Sequence, residues 1–232
     1  MRVMLYQPFY FPWIGFFDMV DQCDILVFYD DAQYSKGTWQ NRNRIKTYSG
    51  VKWLTVGIDR HYTLGMKIHE IKVHLSNGWK EKNLNQIRQA YHQAPFFSEY
   101  FPVVSGFISS DFTRLIDYTS GSIRLITDVI GIKTRFMSSL ALNSIKSEGT
   151  QKVIDICKAA GAEEYFDGST GRDLYDTEFF LKQGIMISFH EYRHPTYQQC
   201  FGEFVSHLSI LDLLFNEGPN SLAVIRSGRI PA

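Results

Sequence analysis

Cysteine is scarce in this 232-residue chain. Cys23, Cys157 and Cys200 lie far apart, so neither a disulfide framework nor a zinc site is expected. They read as reduced thiols, mostly buried, of a cytoplasmic protein. Charge imbalance is lacking too. Lys plus Arg equals Asp plus Glu at 24 each, for a formal net charge of zero. That argues against a protein held to nucleic acid mainly by phosphate contacts, while leaving room for a local basic site. No uninterrupted apolar run reaches the roughly 18 residues of a transmembrane helix. Gln7, Pro8, Pro12 and Asp18 interrupt the N-terminal stretch, so it is not a signal peptide. A Gly-x-Ser-x-Gly elbow, a Cys–His pair in a known context and a dinucleotide glycine fingerprint are all missing. So are internal repeats, low-complexity tracts and linkers.

What is present belongs to a folded globular protein: 44% hydrophobic and 21% charged residues. The length suits one α/β domain, or one with an insertion. Aromatics are high at 15%, and they crowd the start as Tyr6, Phe9, Tyr10, Phe11, Trp13, Phe16 and Phe17.

The chain opens as strand, loop, helix, strand. Val3 to Tyr6 is a short apolar run, and Pro8 and Pro12 keep the next segment extended. Trp13 to Gln22 fits a helix with Pro12 near its start. Ile25 to Tyr29, bounded by Asp24 and Asp30, fits a buried parallel strand. In open α/β sheets, ligands bind at the carboxyl ends of such strands. Further strands are expected at Trp53–Ile58, Ile68–Leu75, Thr134–Ser138, Glu164–Phe166 and Ile185–His190. Helices are expected at Trp79–Tyr91, Gly149–Gly161, Thr177–Gln183 and Leu208–Phe215. Phe107–Ile130 reads as one long helix, opened or broken near Ser109-Ser110-Asp111 and ended by Gly131. About ten residues at the end carry no signal and are expected to fray. The expected fold is a single α/β domain over residues 1–232, a mainly parallel sheet flanked by helices, with a helical insertion over 76–131.

Four constellations carry chemistry. In Gln7-Pro8-Phe9-Tyr10-Phe11-Pro12-Trp13-Ile14-Gly15, a fixed backbone presents flat rings and one amide at a βα turn. Tyr10 and Trp13 would stack a sugar or base while Gln7 hydrogen-bonds it; the competing reading is an aromatic core plug. The second segment runs from Asp30 to Lys46. Asn41, Arg42, Asn43, Arg44 and Lys46 bring cations and amides together, and arginine forks suit phosphate or carboxylate. Gln33 and Trp39 belong to the same loop. Asp30 and Asp31 would balance the cations, orient them, or hold a divalent cation with a substrate phosphate. A solvated polar loop is the bland alternative.

The third, Asp167-Gly168-Ser169-Thr170-Gly171-Arg172-Asp173, lets backbone N–H groups approach an anion, with Arg172 adding charge. It lacks the Gly-Lys-Ser/Thr ending of a P-loop, and a plain turn would look the same. The fourth is His190-Glu191-Tyr192-Arg193-His194-Pro195-Thr196-Tyr197, where a histidine could act as acid or base. His190 and His194 share a face only on a helix, which Pro195 argues against, so a zinc site at these histidines is not expected.

Taken together, these segments resemble the WbqC-like family. The resemblance is carried by Gln7-Pro8-x-Tyr10-Phe11-Pro12-Trp13-x-Gly15, Asp30-Asp31-x-Gln33-Tyr34-x-Lys36 and Trp39-x-Asn41-Arg42-Asn43-Arg44. Trp53-Leu54-Thr55-Val56, Gly171-Arg172-Asp173, His194-Pro195-x-Tyr197 and Leu208 to Asn216 extend it over roughly residues 1–218. Two departures bear on loop shape and substrate choice: Ser169-Thr170 replaces a Pro-Gly type pair, and Gln198 stands where proline is common. The resemblance implies a place in O-antigen or related surface-glycan assembly, attaching glycine or another acyl group to an amino sugar. The opening strand–loop–helix–strand also resembles HIGH-type nucleotidyl and adenylyl transferases in arrangement, but Gln7 to Trp13 stands where their histidine motif would be.

The expected function is therefore acyl or aminoacyl transfer to the amine of a nucleotide-linked amino sugar, with no cofactor beyond an acyl or aminoacyl donor. Gln7, Tyr10, Trp13, Gln33, Trp39, Asn41, Arg42, Asn43, Arg44, Ser169, Arg172, Asp173 and Tyr197 are the candidate binding residues. His194 or Asp31 is the candidate base. Acyl carrier protein, aminoacyl-tRNA, coenzyme A or an ATP-activated acid would supply the acyl group, the neutral charge disfavouring tRNA. The competing class is a sugar-nucleotide binding protein without turnover.

Overall fold

The computed structural model describes residues 1–142 and 144–230. Five parallel strands form the main sheet: β1 (Arg2–Tyr6), β2 (Ile25–Phe28), β5 (Arg135–Ser138), β6 (Glu164–Asp167) and β7 (Met186–Phe189). Their order is β5-β2-β1-β6-β7. The chain builds outward from β1 on one side, then returns to the other side of β1, so the strand order reverses at β1 and β6. Crevices at the carboxyl ends of such strands are where open α/β sheets hold ligands.

Both faces of the sheet are covered, as continuous apolar strands demand. Met4, Leu26 and Phe28 belong to one buried cluster, with Ile14, Phe16 and Phe17. Their strand neighbours Val3, Leu5, Ile25 and Val27 belong to a second, with Val153, Ile154, Ile156 and Cys157. The period-2 alternation of a strand thus sends successive side chains into opposite cores. Helix α1 (Ile14–Asp21) supplies the first core and α5 (Gly149–Ala159) the second.

A separate antiparallel hairpin, β3 (Arg42–Thr47) and β4 (Gly50–Thr55), crosses the first core, with Arg44 opposite Trp53. Helices α2 (Trp79–Tyr91), α3 (Phe97–Ile108) and α4 (Leu115–Ile130) lie between β4 and β5, within the span expected to be helical. The short helices α6 (Thr177–Lys182), α7 (Ile210–Glu217) and α8 (Ser221–Ser227) complete the described residues.

Four expectations for local structure need correction. Ile68–Leu75 is no strand: Ile68–Glu70 is a 3-10 turn, and only isolated bridges join Ile58 to Val73 and Lys72 to Arg114. The helix expected from Phe107 is broken near Ser109-Ser110-Asp111 as anticipated, but Phe107 belongs to α3, which starts at Phe97, and α4 begins only at Leu115. The Trp53 strand starts at Gly50 and ends at Thr55. The segment expected to fray holds most of α8, because Arg226 and Arg229 pair with Asp21 and Arg229 also with Asp18. Its last two residues, 231 and 232, lie outside the described residues.

Candidate functional site

A cavity of about 280 Å³ opens beyond the carboxyl end of β1, lined by Tyr6, Phe9, Pro12, Trp13, Trp39, Asn43 and His207. Its walls come from three places in the chain, stitched by backbone bonds. Tyr10 N–H donates to the Trp39 carbonyl at 3.3 Å, Ser209 N–H to Arg44 at 2.8 Å, and Ile210 N–H to Pro12 at 2.8 Å.

The aromatic loop is held by side chains as well. Phe11 sits at φ 41, a left-handed conformation uncommon outside glycine. Its carbonyl accepts from Asn43 Nδ2 at 2.7 Å and from Ser209 Oγ at 3.0 Å, and its N–H donates to Ser122 Oγ at 3.0 Å. Asn43 Oδ1 accepts the Arg44 N–H at 2.8 Å, so one buried amide links loop and hairpin. Gln40 Nε2 donates to Gln7 Oε1 at 2.6 Å, which turns Gln7 toward the Trp39 segment. Gly15 is required here: a Cβ on it would lie 2.2 Å from the Trp13 ring.

Trp13 forms the floor of a stack of rings. His207 lies on it at 4.8 Å between centroids and 29°, and His194 at 6.0 Å and 16°. His207 is exposed, and its own backbone is left-handed at φ 57. Two bonds hold it there. Its N–H donates to His194 Nε2 at 3.1 Å, and its carbonyl accepts from Arg44 Nη2 at 3.2 Å. His207 Nδ1 meets Ser206 Oγ at 2.8 Å, and no hydrogen bond among the described residues engages its Nε2. Burial, then the neighbouring Arg44, pulls the His207 pKa below its ordinary value. That shift favours the neutral imidazole, and His207 lines the cavity wall with its Nε2 unbonded.

The expected site residues divide accordingly. Trp13, Trp39 and Asn43 line the cavity, and Gln7 and Arg44 adjoin it. Tyr10 is wholly buried, packed on Phe11 at 4.8 Å, and its hydroxyl lies inside the core. Asn41 is also inside, donating to the Val56 carbonyl at 3.1 Å. Gln33 is exposed, and its carbonyl accepts from Gln40 at 3.4 Å. Arg42 donates to the Gly37 carbonyl and lies over Trp53.

Asp31 lies elsewhere. It pairs with Lys152, accepts from Ser139 Oγ at 2.6 Å and lines a second cavity of about 310 Å³ with Lys67 and Lys146. Burial pushes its carboxyl up, but Lys152 and Ser139 outweigh that and leave it below the ordinary carboxylate range. Ser169, Arg172 and Asp173 form a short 3-10 turn after β6, where Arg172 pairs with Glu191 at 2.5 Å. Tyr197 donates to the buried Asp212 at 3.0 Å. His194 is a wall of the ring stack whose two nitrogens both meet backbone groups, Pro195 carbonyl at 2.8 Å and His207 N–H. Among the described residues, no group of three or more His, Cys, Asp or Glu side chains could hold a metal. No helix among them is long and apolar enough to cross a membrane.

Sequence reasoning missed His207, and it left Tyr6 and Phe9 out of the site. The available signal for His207 was its place two residues before Ser209, the side chain that caps α7.

The model of the WbqC-like protein family matches residues 7–224, a span that holds every residue of the cavity wall except Tyr6. The chain belongs to the WbqC-like family. It is 30% identical over 227 residues to "Uncharacterized protein Rv1507c" of Mycobacterium tuberculosis, covering 97% of each chain. No solved structure matches it. Family membership accounts for the long colinear match of the aromatic loop, hairpin and Ser209 segments, which meet at one cavity in this WbqC-like fold.

Proposed function

We propose that this WbqC-like protein is a transferase that acylates the amine of an amino sugar during bacterial surface-glycan assembly. The observation that carries the reading is the cavity itself, where stacked rings and one open imidazole nitrogen share a wall. Flat rings suit the apolar face of a pyranose, and polar groups at the rim fix its orientation. Trp39 and His207 line the cavity, and Gln40 holds Gln7 toward the Trp39 segment.

The chemistry follows from the open nitrogen. The sugar amine attacks the acyl carbonyl of an activated ester or thioester, forming a C–N bond. His207 Nε2 takes the proton that the attacking nitrogen must lose. The bond from the acyl carbon to its leaving oxygen or sulfur then breaks, and that atom keeps the electron pair and receives the proton from His207. A neutral imidazole is the form this step needs.

Incubating the protein with UDP-linked amino sugars and acyl carrier protein, coenzyme A or aminoacyl-tRNA donors tests the reading. An acylated sugar seen by mass spectrometry, and lost in His207→Gln, is the expected result. Thermal stabilisation by an amino sugar with no product from any donor would mean a binding protein without turnover.

A further inference from the structure

Arg42 and Arg44 alternate on β3, so they share one side of the strand, about 7 Å apart along it. Each guanidinium carbon lies over a ring. Arg42 lies 4.2 Å from the centroid of Trp53 and Arg44 5.4 Å from that of Trp39. The two indoles touch, at 5.3 Å between centroids. Among the described residues neither arginine meets a carboxylate, whereas Arg172, Arg226 and Arg229 all do. Each spends one terminal nitrogen on a backbone carbonyl, Arg42 on Gly37 and Arg44 on His207. The Nε of each is shut from solvent. No hydrogen bond among the described residues engages the Nη1 of either, so these are two positioned cations, each with a terminal donor to spare.

A guanidinium stacked on a ring keeps its N–H groups in plane, aimed outward, where they match phosphate oxygens in pairs. We propose that Arg42 and Arg44 clamp a diphosphate, and that the sugar in the neighbouring cavity arrives as its nucleoside diphosphate derivative. The second half rests on the function proposed above; the clamp does not. Two charges of the clamp match the two negative charges of a diphosphate diester. Trp39 joins the sites, since its ring carries Arg44 and also lines the cavity. Arg44 further holds the His207 carbonyl, so an anion on Arg44 lies beside the open imidazole. Trp53, 38% exposed with Arg42 over its ring, leaves exposed aromatic surface beside the clamp for a base.

Calorimetric titration tests this with UDP, inorganic pyrophosphate and geranyl diphosphate as probes. UDP and pyrophosphate should both bind. Arg42→Gln and Arg44→Gln should each weaken UDP by roughly tenfold or more, and the lysine replacements should restore only part, because charge returns without the fork. Unchanged UDP affinity in both glutamine variants, or no binding of UDP and pyrophosphate to the wild type, overturns the clamp. Geranyl diphosphate binding where UDP does not would overturn the nucleotide half and leave the clamp. The cavity reading fails separately: Trp13→Ala would then leave a UDP-linked amino sugar bound as tightly as in the wild type while the arginine variants still lose it.

Discussion

His194 holds the backbone of His207: its Nε2 accepts the His207 N–H at 3.1 Å, while its Nδ1 donates to the Pro195 carbonyl at 2.8 Å. The imidazole that the chain's pattern pointed to thus has both nitrogens occupied. The one that lines the cavity is kept in a left-handed conformation by it, at φ 57. Such a backbone costs roughly 1–2 kcal/mol without glycine, so it persists only while its partners do.

The two histidines should therefore separate by substitution. His207→Gln should lower kcat of acyl transfer by about 10² or more with little change in sugar affinity. His194→Phe keeps a ring on Trp13 but loses the acceptor, so it should disturb turnover and affinity together. His194→Gln can present an oxygen near the old Nε2 and should recover much of the loss. Burial lowers both pKa values from the ordinary histidine value, so activity should persist at neutral pH and fall on acidification. An acid limb in the rate profile that survives His207→Gln would remove His207 as the base.

Asn43 should matter for stability as much as for binding. It is 2% exposed, and it satisfies the carbonyl of the strained Phe11 while accepting the Arg44 N–H. Asn43→Ala should cost about 1–3 kcal/mol, or roughly 2–4 °C of melting temperature for each kcal/mol in a chain of this size. Trp13 fluorescence should shift in the same variant, because the loop that shapes its surroundings loosens. A melting curve and emission spectrum matching the wild type would show that Ser209 and Ser122 hold Phe11 unaided.

Much of this site was legible in the sequence, and the part that was not has physical reasons. The βαβ opening announced itself because Ile25 to Tyr29 is apolar on both faces of a covered sheet. The strand at Arg42–Thr47 stayed hidden because one of its inward positions is Asn43, whose amide serves loop carbonyls instead of packing as a hydrophobe. Tyr10 and Asn41 resembled ligand groups by type, yet both point into the core, a direction that pattern alone cannot assign when loop and hairpin interlock. His207 was invisible because it reaches the cavity only after Ser209 bonds to Arg44 across the fold.

Asp31 should prove independent of the aromatic cavity. Its partner is Lys152, and both side chains are mostly shielded, at 14% and 16% exposure. Asp31→Asn should leave UDP affinity unchanged. Its folded pKa is lowered, so the carboxylate contributes stability above the ordinary carboxylate pKa, near 4. That contribution is lost as pH falls through the lower folded value. The melting difference between wild type and Asp31→Asn should hold steady from about pH 7 to 5 and narrow below about 4. A weakened UDP titration in this variant would tie the two cavities together and contradict their separation.

Asp212 should give the opposite pH dependence. It is wholly buried, with Tyr91 and Tyr197 hydroxyls donating to it at 2.9 and 3.0 Å. Burial pushes its carboxyl up to about 6, against the two tyrosines and Lys46, which draw it down. The folded state then binds a proton more tightly than the unfolded chain does. Stability attributable to Asp212 is greatest below about pH 4 and falls as pH rises toward about 6, by a total on the order of 3 kcal/mol. Asp212→Asn cannot titrate. Melting temperatures of wild type and variant, taken in parallel from pH 4 to 7, should diverge, with the wild type losing ground steadily as pH rises. Groups titrating elsewhere contribute equally to both proteins and cancel in that difference. A difference that stays flat across the range would mean that Asp212 remains ionised throughout, its charge fully met by the tyrosine hydroxyls and by Lys46.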